Sequence, residues 1–314
     1  MAETMKAVRM YNIGDPSVLK HDLVPRPELS STDVLVRVRA AGINPHDLKV
    51  RNGTLNDRNY SLPLILGWEI SGIVEAVGSH TFRLKEGDEV FGYSDLNRPK
   101  AYAEYIAIDE SNLVLKPENI SHEEAAAFPV GALTAWQGIF GYGCLRSGQT
   151  ILIHGGAGVV GSQAVQLASL EGAKVITTAS EVSREFVSSL GAEQIIDYHT
   201  QKFESEVNNI DVVLDLVGGN VWKRSLQVLK PGGHLVSVMM DTALPDESRK
   251  HGVNGQLYVV QTSGAELERI ANYIRESKLK ARIDRIFSLK DVEQAHTYAE
   301  SGNVRGKVVL TNDN

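Results

Sequence analysis

The sequence predicts an α/β protein in two parts, a doubly wound parallel sheet preceded by a mainly β unit. Three observations carry that prediction. From about residue 150 to 262, short apolar runs alternate with helix-length segments, the order that winds a parallel sheet through right-handed crossovers. The first third instead holds short β-rich runs punctuated by Gly, Pro and Asp. At 314 residues the chain is also longer than a typical single core.

The elements follow in order. Val34 to Ala40 alternates apolar and polar residues, and Gly72 to Val77, Glu89 to Gly92 and Ala103 to Ile108 read as further short strands. Ser121-His-Glu-Glu124 fits a capping box, and the Ala-rich stretch after it reads as a helix leading into Leu133-Thr-Ala-Trp136. Six strands then follow at Thr150 to His154, Lys174 to Thr178, Gln194 to Asp197, Asp211 to Asp215, His234 to Met239 and Gln256 to Val260. Helices fill the gaps at Val160 to Leu170, Ser183 to Leu190 and Val221 to Leu229, while Asp95 to Ala101 and Asp241 to Asn254 read as loops. From about Ser263 the character is mixed: a helix at Glu266 to Ser277, a strand around Arg282 to Phe287, a helix at Lys290 to Ser301 and a last strand at Lys307 to Thr311. There is no internal repeat.

Composition narrows the function. Hydrophobic content of 42% with 23% charged residues is that of a globular protein, and no apolar run has the length of a membrane span. The start, Met1-Ala-Glu-Thr-Met-Lys6, has neither the order of a secretory signal nor the bias of a transit peptide, so a soluble cytoplasmic protein is expected. The single Cys144 excludes an intrachain disulfide and a thiolate-built structural zinc site. A net charge of −7 without a basic run argues against nucleic acid and leaves a small molecule as the expected partner.

The most informative motif is Ile151-Leu-Ile-His-Gly-Gly-Ala-Gly-Val-Val-Gly-Ser162, which carries G-x-G-x-x-G at Gly156, Gly158 and Gly161 between a strand and a helix. In that context Gly156 permits a tight turn, Gly158 lets the backbone approach a pyrophosphate, and Gly161 allows close helix packing. The amides around Val159 and Val160 and the positive end of the helix would then face the anion. A dinucleotide is the expected cofactor. NAD sites usually place an acid at the tip of the second strand; here that strand ends Thr177-Thr-Ala-Ser180. Ser180, Arg184 and Tyr198 can together enclose a 2′-phosphate, which favours NADPH, although Glu181 complicates the local charge.

The sequence resembles the quinone oxidoreductase and alkenal/enone reductase branch of the medium-chain dehydrogenase/reductases. The resemblance rests on Ala40-Ala-Gly-Ile-Asn-Pro-His-Asp47, Leu66-Gly-Trp-Glu69, Leu133-Thr-Ala135, the glycine turn, Leu190-Gly-Ala192, Asp215-Leu-Val-Gly-Gly219, Pro231-Gly-Gly233 and Gly306-Lys-Val-Val-Leu310, in collinear order. It implies a GroES-like β-barrel catalytic domain over residues 1–124, a Rossmann NADP-binding domain over 125–262, and a segment over 263–314 that returns to the catalytic domain. It also implies an active site in a cleft and a homodimer.

Zinc-dependent relatives carry a Cys and a His-Glu pair where this chain has Asn44 and Trp68-Glu69, so the resemblance implies a zinc-independent enzyme. By the same resemblance Asn44 contacts nicotinamide or substrate, Thr134 lies near the nicotinamide ribose, and Val217 and Gly218 give backbone contacts at the carboxyl edge of the sheet. Enoyl-thioester reductases and many quinone reductases carry a Tyr at the position of Leu55; its absence favours reduction of the activated C=C bond of enals and enones, with quinone reduction or a non-catalytic NADPH sensor as alternatives. Tyr60 or Tyr93 could supply a phenolic donor from elsewhere, and Asp47 either contacts substrate or makes a structural hydrogen bond. His46 and His154 show no triad or ligand spacing and read as structural.

Overall fold

The computed structural model describes residues 3–55 and 60–312. The chain divides into two compact units, Met1–Val130 with Thr262–Ser277 and Ala281–Asn314, and Gly131–Gln261 with Lys278–Lys280.

The first unit opens with an antiparallel pair that the sequence pattern did not disclose, β1 (Thr4–Met10) and β2 (Leu19–Pro25). β3 (Asp33–Ile43) follows, with Val34, Val36, Val38 and Ala40 all buried as period-two alternation requires. It continues past the predicted Ala40 because Ala41 to Ile43 pair with the last strand of the chain. α1 (Pro45–Arg51) comes next, then β4 (Leu64–Ile65), β5 (Glu69–Val77), β6 (Glu89–Tyr93), β7 (Tyr105–Asp109) and β8 (Leu113–Leu115).

The Ser121–Glu124 capping box is present: Glu124 N–H donates to Ser121 Oγ at 3.2 Å, and Ser121 N–H donates to Glu124 Oε2 at 2.8 Å. The Ala-rich stretch is not one helix, however. It breaks into α2 (His122–Ala126) and α3 (Pro129–Trp136), because Pro129 has no N–H to continue a helix and its ring disfavours helical backbone before it.

The second unit carries the six strands, β9 (Thr150–His154), β10 (Lys174–Ala179), β11 (Gln194–Asp197), β12 (Ile210–Asp215), β13 (Leu229–Ser237) and β14 (Asn254–Leu257). All pair in parallel, in the order β11-β10-β9-β12-β13-β14. Ile151, Leu152 and Ile153 of β9 are completely buried, the continuous apolar run of a strand covered on both faces. α4 (Val159–Leu170) follows it, and Trp222 packs with Leu152, Val213, Leu235 and Leu244 in the core. The segment read as a loop from Asp241 to Asn254 contains a helix at Leu244–Lys250, with Pro245 in its first turn and Asp246 and Glu247 facing the positive end of the helix dipole. The helix foreseen at Val221 to Leu229 is shorter, Asn220–Ser225, since β13 already begins at Leu229.

The chain then completes the first unit's larger sheet with β15 (Ile283–Ser288) and β16 (Lys307–Thr311), in the order β15-β16-β3-β5-β6-β8 with β7 also on β3. Among the described residues no helix is long and apolar enough to cross a membrane.

Candidate active site

In the second unit the sheet winds outward in opposite directions from β9 and β12, and ligands of such sheets bind beyond the carboxyl ends at that switch. The glycine turn follows β9 there. Gly155 carries the left-handed backbone of the turn, with φ +81°, rather than Gly156, to which the motif assigns it. Gly156 instead lies against β10, where a Cβ would come within 3.0 Å of Thr177 Cβ and closer still to its hydroxyl. At Gly161 a Cβ would stand 2.8 Å from Gly156 Cα.

Gly158 differs from both. It is the exposed residue preceding α4, has extended backbone, and a Cβ there would meet nothing nearer than the Gly155 carbonyl oxygen at 3.4 Å. Two glycines therefore serve internal packing, while the third keeps a backbone surface open. The amides of Val159, Val160 and Gly161 lie in the first helical turn, where N–H groups have no intrahelical acceptor. An open N-terminus on a 12-residue helix suits a pyrophosphate.

Thr178 holds the turn, accepting Gly156 N–H on its carbonyl and Gly155 N–H on its hydroxyl, each at 3.1 Å. His154 sits beneath it as a structural group: burial pushes the imidazole down to about 3, and its Nε2 lies 2.9 Å from Ser225 Oγ. After β12, the N–H groups of Val217 and Gly218 both donate to Asp215 Oδ1, at 3.0 and 2.9 Å. What that loop offers a ligand is therefore its carbonyls. Thr134, on α3, is buried, and its carbonyl accepts the Tyr258 hydroxyl at 2.6 Å.

Pairing of Ala179 with Asp197 puts Ser180 and Tyr198 at corresponding positions just beyond the tips of β10 and β11. Ser180 Oγ donates to Ser183 Oγ at 3.3 Å, and Tyr198 is 58% exposed with its ring 4.3 Å from His199. Arg184 is already engaged: its Nε donates to Glu181 Oε2 at 2.7 Å and its Nη1 to the Ile195 carbonyl at 3.2 Å. The acid at the β11 tip, Asp197, is spent on its own turn through His199 N–H and Thr200 Oγ.

In the first unit, strand register assembles a second cluster. Val308 pairs with Ile43 and Ala41 with Ile70, which brings Lys307 opposite Asn44 and Glu69 opposite Gly42. Lys307 Nζ forms an ion pair with Glu69 Oε1 and donates to Asn44 Oδ1 at 2.6 Å. Asn44 Nδ2 donates to Glu69 Oε1 at 2.7 Å, and Val130 N–H donates to Glu69 Oε2 at 2.8 Å. Lys307 is 2% exposed, Glu69 0% and Asn44 7%, so the charges are desolvated and balanced against each other. Gly42 is the residue that admits them, since a Cβ there would lie 2.6 Å from Lys307 Cε. Sequence reasoning missed Lys307, which reads as one more polar residue in a closing strand.

Asp47 caps α1, its Oδ2 accepting Asn44 N–H at 2.7 Å. The carboxyl is fully buried beside the Tyr102 hydroxyl, and burial pushes it up to about 7. The fully enclosed carboxyl caps the backbone at Asn44. Tyr60 packs against His46 and Trp68, the neighbours in sequence of Asp47 and Glu69. Its hydroxyl donates to the Leu96 carbonyl at 2.8 Å, the same oxygen that accepts Trp68 Nε1–H at 3.0 Å, and His46 packs edge-on to Trp68 at 4.6 Å. Tyr60 also lines a cavity of about 790 Å³ with Arg9, Pro63, Ile65 and Arg98. Among the described residues no three His, Cys, Asp or Glu side chains are grouped to hold a metal.

The fold, the glycine cradle and the buried amide cluster define a pyridine-nucleotide-dependent oxidoreductase. Two family models match: "Alcohol dehydrogenase GroES-like domain" over residues 30–118 and "Zinc-binding dehydrogenase" over residues 190–310. The chain is 38% identical to 2-methylene-furan-3-one reductase of Solanum lycopersicum, covering 98% of this chain and 79% of that one. It is 36% identical to the chloroplastic NADPH-dependent alkenal/one oxidoreductase of Arabidopsis thaliana, with the same coverage of 98% and 79%. Among solved structures, the quinone oxidoreductase from Coxiella burnetii superposes with a TM-score of 0.92 at 37% identity, over 98% of this chain and 99% of that one. The chain belongs to the medium-chain dehydrogenase/reductase superfamily, in its zinc-independent quinone oxidoreductase branch.

Proposed function

We propose that the protein is an NADPH-dependent reductase of the activated C=C bond in α,β-unsaturated aldehydes and ketones. The observation that carries this reading is the Asn44 cluster. Where zinc-dependent relatives would place a metal ligand, this chain holds a side-chain amide whose Nδ2 donates one N–H to Glu69 and keeps a second. An N–H donor suits a carbonyl oxygen that gains negative charge during reduction. Bound NADPH would supply the hydride for the β-carbon of the acceptor.

The chain's part is to bind, orient and stabilise. Gly158 and the first turn of α4 receive the pyrophosphate, and the loop after β12 offers carbonyl acceptors. Asp47, as a cap, fixes the backbone at Asn44. Tyr60 gives its proton to Leu96, Tyr93 is buried, and Leu55 has none to give, so solvent water is the proton source for the enolate carbon. Preference for NADPH is supported by the absence of an acid at the β10 tip, by the donors Ser180 and Tyr198 side by side, and by the cofactor in the Arabidopsis relative's name.

Quinone reduction is the second reading, favoured by the close superposition on the Coxiella burnetii enzyme. Steady-state NADPH oxidation with an enal, an enone and a quinone in parallel separates the two. The proposal expects enal and enone turnover; quinone turnover alone contradicts it.

A further inference from the structure

We infer that Lys307 and Glu69 are positioning residues that lock the Asn44 amide in one orientation and so present a single N–H to the acceptor oxygen. This rests on the reading of the protein as a carbonyl-polarising reductase. The orientation is dictated by chemistry. An ammonium can only donate and a carboxylate can only accept, so the atom at 2.6 Å from Lys307 Nζ must be Oδ1, and the atom at 2.7 Å from Glu69 Oε1 must be Nδ2. A flipped amide would set N–H against N–H and oxygen against oxygen inside a dry site.

The lock is itself braced. Val130 N–H holds the other Glu69 oxygen at 2.8 Å, Asp47 holds the Asn44 backbone, and Gly42 leaves the room in which the two charged chains meet. With Oδ1 and one hydrogen of Nδ2 committed, the amide has one N–H left, and that hydrogen cannot be replaced by an acceptor through a rotation of the side chain. A cation within the same cluster also draws electron density through Oδ1, which sharpens the N–H as a donor. The pair thus acts on the substrate through Asn44, without touching it.

The test is a double-mutant cycle. Substituting Glu69→Gln together with Lys307→Met removes both charges and the donor to Oδ1 while leaving no ion unpaired. Placed in the wild-type background, this pair is expected to lower kcat/KM for an enone about tenfold or more, chiefly in kcat, with NADPH affinity unchanged. Placed on top of Asn44→Ala, the same pair is expected to change kcat/KM by less than about twofold, because its route to the substrate is already gone. Equal losses in both backgrounds, or full activity of the folded neutral pair, overturn the inference.

A measurement on the wild-type enzyme stands independently of any variant's folding. The Asn44 side-chain amide, assigned by the NMR signal that Asn44→Ala removes, should show one proton shifted downfield and slow to exchange, and its partner ordinary. Two protons exchanging at the rate of a free amide overturn the lock. A wild type that turns over no enone defeats the functional reading alone, while the amide protons still report on the lock.

Discussion

The three motif glycines make a sharp prediction because the structure gives them unequal work. Gly161→Ala forces a Cβ to 2.8 Å from Gly156 Cα and nearer still to the Gly155 carbonyl, with backbone on both sides. Overpacking of that kind costs about 1–3 kcal/mol where side chains can yield, and more where only backbone can. A loss of about 3 kcal/mol corresponds to a Tm drop of roughly 5–10 °C. Gly158→Ala behaves otherwise, since its Cβ meets nothing nearer than 3.4 Å. Exchanging an N-cap glycine for alanine costs only about 0.5–1 kcal/mol of helix stability.

That methyl group would instead stand between the first turn of α4 and the pyrophosphate. Losing one charge-assisted hydrogen bond at about 1.5–3 kcal/mol weakens NADPH by roughly tenfold to 150-fold. Thermal unfolding without cofactor and fluorescence titration with NADPH separate the two effects. The expected result is a near-normal Tm with poor binding for Gly158→Ala, and a lowered Tm for Gly161→Ala. Tight NADPH binding by folded Gly158→Ala would refute the assignment of the open cradle.

Three further outcomes follow from the geometry. Because Glu181 competes with a 2′-phosphate for Arg184, Arg184→Ala should narrow the preference for NADPH over NADH and Glu181→Gln should widen it, by about threefold to tenfold in the kcat/KM ratio; an unchanged ratio in both contradicts the phosphate site. Burial holds a proton on Asp47 up to about pH 7 in the folded protein but only to 3.8 in the unfolded chain, so its contribution to stability is full below 3.8 and is lost as pH rises through 7. Asp47→Asn should therefore gain on wild type between about pH 4 and pH 8, on the order of 4 kcal/mol, and a difference in Tm that does not change with pH would contradict this. Finally, prolonged dialysis against a chelator should leave NADPH-dependent activity intact, whereas loss restored by zinc would contradict a site whose cation is Lys307.

Much of this fold was legible in the sequence for an identifiable reason. Buried parallel strands are continuous apolar runs, and Thr150–His154 or Ile210–Asp215 can be read as such without knowing their neighbours. β1 was not, because Ala7 and Val8 are adjacent and both buried, which breaks the alternation that marks a half-exposed strand. The helix at Leu244–Lys250 did carry a signal, Pro245 followed by two acids, that was hidden in a segment of turn-like composition.

Asn44, Trp68 and the glycines could be found from local motifs. The ion pair that orients Asn44 could not, since Lys307 lies 263 positions away and only the register of β3 against β16 brings it there. The engagement of Arg184 by Glu181 shows the intermediate case: their spacing is visible in the sequence, but only the hydrogen bond shows that the guanidinium is already occupied.

The most direct test of the account is the fate of the hydride. With a simple conjugated enone and NADPH deuterated at the transferred position of the nicotinamide, the account predicts a saturated ketone carrying deuterium on the β-carbon, with the α-hydrogen drawn from solvent. An allylic alcohol carrying deuterium on the carbinol carbon would show that the enzyme attacks the carbonyl, and would contradict the role assigned here to Asn44 and its buried partners.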